Sequence, residues 1–104
     1  MKNIGLTAQD FRLIDSIFKQ FPHTYYVFGS RIKGTYRPFS DLDILVKDTI
    51  TLSQLAEIKE AFDNSDLPFK IDICRDTDLD ARFRGLIHQG AYPWTALRPA
   101  EKND

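Results

Sequence analysis

Along this chain a two-residue apolar period alternates with one of three to four, and few folds accommodate that alternation. Tyr25-Tyr26-Val27-Phe28, Leu42-Asp43-Ile44-Leu45-Val46 and Phe69-Lys70-Ile71-Asp72-Ile73-Cys74 are aromatic and β-branched, and read as strands. Before the first of them, Phe11, Ile14, Phe18 and Phe21 recur at helical spacing. Thr7 stands as the cap, with Asp10 in a capping-box-like position, and Pro22 ends the pattern. A second helix is predicted after Thr51, where Gln54 completes a capping box and Leu55, Ile58 and Phe62 share one face. A last helix is predicted from Asp80 to His88, with Phe83, Leu86 and Ile87 apolar and Gly90 as its stop. Gly29-Ser30-Arg31 breaks the first strand into a short helix or turn, followed by a loop from Gly34 to Ser40. The expected fold class is therefore α/β (α+β), a small mixed sheet with helices packed against it. The 104 residues fit one domain, 1–104, with no repeat or linker. Residues 91–104 read as a C-terminal tail, and Glu101–Asp104 as solvated.

Composition narrows the setting. Hydrophobic residues make up 42% and charged residues 28%, an ordinary globular balance. A net charge of −1 offers no broad basic field, so no direct nucleic-acid binding is expected. No apolar run is long enough to span a membrane, and the first residues lack the apolar stretch of a signal peptide. The single cysteine, Cys74, excludes an intrachain disulfide, and the expected location is cytoplasmic.

The chemistry is carried by acidic residues in apolar strands. Side chains alternate along a strand, so Asp41 and Asp43 project to one side. Carboxylates that close repel one another unless a proton or cation lies between them. An oxygen-rich set of this kind suits Mg²⁺, which keeps water and substrate phosphate among its ligands. Asp72 sits between Ile71 and Ile73 and joins the cluster if its strand neighbours that of Asp43. Buried without a partner, it would carry an uncompensated desolvation cost. Three carboxylates on adjacent strands can hold two ions, roughly 3.5–4 Å apart, for in-line phosphoryl or nucleotidyl transfer. Gly29 and Ser30 follow the first strand, where glycine permits close backbone approach and the hydroxyl can donate to phosphate.

Gly29-Ser30-Arg31-Ile32-Lys33-Gly34, followed by Ser40-Asp41-Leu42-Asp43 with ten residues between Ser30 and Asp41, is similar to the signature of the DNA polymerase beta-like nucleotidyltransferases. Asp72 fits the third aspartate of that signature, and the length resembles the minimal nucleotidyltransferase (MNT) branch. The motifs cover residues 24–74. The resemblance implies a palm-like fold and Mg²⁺-dependent attack of an acceptor hydroxyl on the α-phosphate of a nucleoside triphosphate. It assigns Asp41, Asp43 and Asp72 to catalysis and to two Mg²⁺ ions. Gly29, Ser30 and Arg31 fall to nucleotide binding, with ATP as substrate. It also implies a helical HEPN-type toxin as partner, with this chain as the antitoxin that transfers AMP to a tyrosine. A non-catalytic binding partner and nucleotidyl transfer to a small molecule are the alternatives, and a homo-oligomer stays open.

Other features have plainer readings. Arg31, Lys33 and Arg75 could steer phosphates or lie in solvated loops. Cys74 reads as a small core residue, and His23 and His88 as structural. Asp76-Thr77-Asp78-Leu79-Asp80 resembles the start of an EF-hand loop, but Ala81 and Ile87 stand where glycine and glutamate are required. It reads instead as a polar loop capping the last helix through Asp78 or Asp80. Tyr92-Pro93-Trp94 with Leu97 reads either as closure of the core or as a partner surface.

Overall fold

A computed structural model describes residues 2–99, so the expected solvated end, Glu101–Asp104, lies outside the described residues. In chain order the elements are β1 (Lys2–Asn3), α1 (Ala8–Gln20), β2 (Tyr25–Phe28), α2 (Ser30–Lys33), β3 (Leu42–Val46), α3 (Leu52–Asp63), β4 (Ile71–Arg75), α4 (Ala81–Gly90), β5 (Tyr92–Pro93) and β6 (Leu97–Arg98). Single 3₁₀ turns at Asp76–Asp78 and Trp94–Ala96 lead into α4 and β6.

The helices start where the capping chemistry places them. Thr7 Oγ1 accepts the Asp10 N–H at 3.0 Å and opens α1, whose Ile14, Ile17 and Phe18 are buried. At α3, Thr51 Oγ1 accepts the Gln54 N–H at 3.0 Å, and Gln54 Oε1 accepts the Thr51 N–H at 2.8 Å, a complete capping box. Leu55, Ile58 and Phe62 are the buried face of α3.

The main sheet has the order β4-β3-β2-β5. It is mixed, as expected, because β3 runs antiparallel to β2 and parallel to β4. On one face, Val27, Leu42, Ile44, Val46 and Ile73 are buried and join the α1 and α3 residues in a single cluster. The period of two thus sends one set of strand residues into the core and leaves the other to the opposite face.

Three features differ from the sequence expectation. The third strand starts at Ile71 rather than Phe69, although Lys70 O still accepts the Leu42 N–H at 3.0 Å. No residue of α4 is buried; Phe83 is 55% and Leu86 67% exposed, so its apolar residues do not enter the core. The described part of the C-terminal segment, from Tyr92 to Arg98, pairs within the fold. β5 pairs with β2, Trp94 is buried against Phe11 with ring centroids 4.3 Å apart, and its indole N–H donates to Asp15 at 2.9 Å. β6 then pairs in parallel with β1, Lys2 opposite Leu97. Trp94 and Leu97 thus close the core, whereas Tyr92 stays 39% exposed. Among the described residues no helix is long and apolar enough to cross a membrane.

Candidate active site

The site begins where β2 ends. Gly29 has φ 84° and ψ −153°, a region that side chains other than hydrogen disfavour. It is also held by what lies opposite, since a Cβ on Gly29 would stand 2.2 Å from Asp43 Oδ2. The backbone turn and the carboxylate of β3 therefore touch only because residue 29 is glycine. Gly29 O accepts the N–H groups of Ile32 and Lys33, both at 3.1 Å, and Ser30 is the first residue of α2. Gly34 ends that turn of helix in the left-handed conformation.

The aspartates meet through strand register. Asp43 pairs with Phe28 on β2 and with Asp72 on β4, so the two carboxylates are direct neighbours across a parallel ladder. Asp41 immediately precedes β3. Asp43 is half-buried, while Asp41 and Asp72 are exposed. Desolvation therefore falls on Asp43 rather than on Asp72, which lies on an edge strand facing water. Burial raises the Asp43 pKa above the ordinary aspartate value, and the charges of Asp72 and then Asp41 raise it further. None of the three carboxylates forms an ion pair with a basic side chain among the described residues. Among those residues no three His, Cys, Asp or Glu side chains close around a common point. Hard oxygen donors, excess negative charge and one open side fit Mg²⁺, which takes few protein carboxylates and completes its shell with phosphate and water.

Arg31 is held inside the protein. It is 1% exposed, and its guanidinium donates to Ile4 O at 3.1 Å and Ser40 O at 2.9 Å. A solvated loop therefore does not describe it. Lys33 is exposed and, with Phe28, Gly29, Ile32, Leu86 and Ile87, lines a cleft of about 380 Å³ beside the Gly29–Ser30 turn. The aspartates do not line this cleft; they sit on the adjoining sheet face.

The remaining polar residues are occupied structurally. Arg75 grips Asp78 through two bonds of 2.7 Å and donates to Ile50 O at 2.8 Å. Asp80 caps α4 through the Arg82 N–H, and Asp76 pairs with His88, which also lies 3.3 Å from Lys47 Nζ. Each aspartate of the EF-hand-like run thus has its own partner. Cys74 is pushed up to about 11 by burial, then by Asp72 and Asp43, so its thiol stays protonated at neutral pH.

A family described as "Polymerase beta, Nucleotidyltransferase" matches residues 13–90. The chain belongs to the polymerase beta nucleotidyltransferase family. One relative in the family, described as "Probable protein adenylyltransferase MntA" from Haemophilus influenzae, is 31% identical over 90 residues, covering 83% of this chain and 79% of the relative. This agrees with the resemblance carried by the Gly29-Ser30 and Asp41–Asp43 motifs. A solved structure described as "Crystal structure of the toxin-antitoxin with AMP-PNP" superposes with a TM-score of 0.62 at 20% identity, over 82% of this chain and 72% of that one. At that identity the likeness shows a shared fold.

Proposed function

We propose that this domain is a Mg²⁺-dependent enzyme that transfers AMP from ATP to a hydroxyl group, a tyrosine of a helical HEPN-type toxin, and so acts as an antitoxin. The observation that carries this reading is the side-by-side register of Asp43 and Asp72, with the Asp43 carboxylate seated against Gly29. The adenylyltransferase relative and the AMP-PNP-bound toxin–antitoxin structure support the choice of nucleotide and partner class.

Ser30 and the backbone of Gly29 would hold the outer phosphates, and Asp41, Asp43 and Asp72 would hold Mg²⁺. When bound, Mg²⁺ supplies charge neutralisation at the phosphates and polarises the reacting phosphorus. The acceptor approaches from the Asp72 side, where the sheet edge is open. Asp72 takes the hydroxyl proton, the acceptor oxygen bonds to the α-phosphorus, and the bond to the bridging oxygen breaks to release pyrophosphate. Asp43, half-buried, orients the reacting group, because the strand ladder on both sides restricts its backbone.

Intact mass measurement of the helical partner after incubation with this chain, ATP and Mg²⁺ tests the reading. Addition of an AMP mass, absent with Asp43→Asn, is the expected result. A stable complex that gains no mass would replace the enzyme with a binding antitoxin, and transfer to a small hydroxylated compound alone would replace the protein acceptor.

A further inference from the structure

Arg31 is the one charged side chain buried among the described residues, and no carboxylate pairs with it. A buried cation is costly unless hydrogen bonds satisfy it. Here backbone carbonyls do so. Nε and Nη2 both donate to Ser40 O, at 3.3 and 2.9 Å, Nη2 reaches Pro38 O at 3.5 Å, and Nη1 donates to Ile4 O at 3.1 Å. The guanidinium also lies 4.6 Å from the Phe69 ring centre and 5.2 Å from that of Tyr36. The Tyr36 ring in turn packs onto Gly5, within 2.4 Å of where a Cβ would stand.

What these bonds fix is the backbone around Asp41. Asp41 lies outside the strand ladder, which starts at Leu42. On its C-terminal side the Leu42 N–H is tied to Lys70 O at 3.0 Å. On its N-terminal side Ser40 is held in a local turn, its N–H donating to Arg37 O at 3.0 Å and its Oγ accepting the Arg37 N–H at 2.7 Å. Its carbonyl, in the peptide plane that leads into Asp41, accepts from Arg31 and is so tied to the turn that carries Gly29 and Ser30. One side chain thus couples the phosphate turn to the first carboxylate.

We propose that Arg31 is a positioning residue that sets the orientation of Asp41, and through it the affinity of the carboxylate cluster for its divalent ion. The proposal rests on the nucleotidyl-transfer reading for the identity of that cluster. A lysine at this position keeps the charge but presents its donors at a single point, so it cannot bridge Ser40 O and Ile4 O together.

The test compares the full-length wild type with Arg31→Lys, by Mn²⁺ binding without nucleotide (water-proton relaxation) and by amide exchange at residues 39–42. A KM and kcat determination accompanies both. The expected result is a folded variant that binds Mn²⁺ about tenfold more weakly, the scale of losing a residue that orients a metal ligand. Amides around Asp41 should exchange faster, the KM for ATP should stay nearly constant, and high Mg²⁺ should restore part of kcat. Unchanged Mn²⁺ binding overturns the proposal, and so does a raised KM for ATP at unchanged Mn²⁺ affinity, which would make Arg31 a phosphate ligand after all. If Arg31→Lys fails to fold, Phe69→Leu decides, since it loosens the stacked guanidinium and leaves its hydrogen bonds in place; no change in Mn²⁺ affinity there is equally fatal. A wild type that binds Mn²⁺ but transfers nothing refutes the functional reading alone, and one that binds no Mn²⁺ refutes both.

Discussion

The two faces of the main sheet come from the same strands and have opposite chemistry. On one face Val27, Leu42, Ile44, Val46 and Ile73 are buried under α1 and α3. On the other, in the alternate positions, stand Phe28, Asp43, Asp72 and Cys74, together with Leu45, which is buried. The covered face provides stability through burial of apolar area, whereas the open face gathers carboxylates whose mutual repulsion opposes folding. Because successive residues point to opposite faces, two neighbours in the sequence can serve opposite ends. Asp43 and Ile44 are such a pair, and substitutions at each should separate activity from stability.

The largest separation is expected at Asp43. On the proposed function Asp43→Asn removes a charged metal ligand and should lower transfer by roughly a thousandfold, the rate equivalent of several kcal/mol of lost charge stabilisation. Its melting temperature without Mg²⁺ should not fall. Nucleotide incorporation and thermal melting measured on the same preparation check both halves, and retention of full turnover would remove Asp43 from the site. One residue on, Ile44→Ala should cost about 2–5 kcal/mol of stability. That is several times the roughly 4–8 °C that each kcal/mol shifts a domain of this size. Turnover per folded molecule should be nearly unchanged below the melting range, so a thousandfold loss there would erase the distinction between the faces.

Gly29→Ala sharpens the comparison because it acts on both sides of it. The backbone conformation is strained for alanine, which costs about 1–3 kcal/mol. The added Cβ would also displace the Asp43 carboxylate, 2.2 Å from it. A moderate fall in melting temperature together with weakened transfer is expected, whereas unaltered transfer would show that the close contact with Asp43 is unnecessary.

What was legible in the sequence follows the same division. Caps at Thr7 and Thr51 and the core faces of α1 and α3 were legible because they depend on neighbours within a few residues. Asp43 and Asp72 stood out as acidic residues in apolar strands, although their pairing required the parallel ladder itself. The burial of Arg31 was not legible because its partners are carbonyls at Ile4, Pro38 and Ser40, which any sequence supplies and none advertises. The aromatic residues Tyr36 and Phe69 were its only trace. The strands β1, β5 and β6 have two residues each, too few to show a period. The exposure of Phe83 and Leu86 on α4 was likewise invisible, since an apolar helical stripe ordinarily marks a packed face.

The smallest expected effect tests whether the open face stores repulsion in the metal-free chain. The folded-state pKa of Asp43 is raised, by burial first and then by Asp72 and Asp41. A raised carboxyl favours the folded state only while protonated, so its contribution is complete below the ordinary aspartate range and is lost as pH rises through the folded value. Asp43→Asn carries no such penalty. Without Mg²⁺ the variant and the wild type should therefore melt together in strong acid and diverge as pH rises, with the variant ahead at neutral pH. The gap should be small because Asp43 is only half-buried and water screens its neighbours. Mg²⁺ should then reverse the order, since it binds the folded wild type and stabilises it by mass action. Melting curves across pH, with and without Mg²⁺, read both effects; a wild type more stable than Asp43→Asn without Mg²⁺ at neutral pH would mean that the cluster is not held against its own charge.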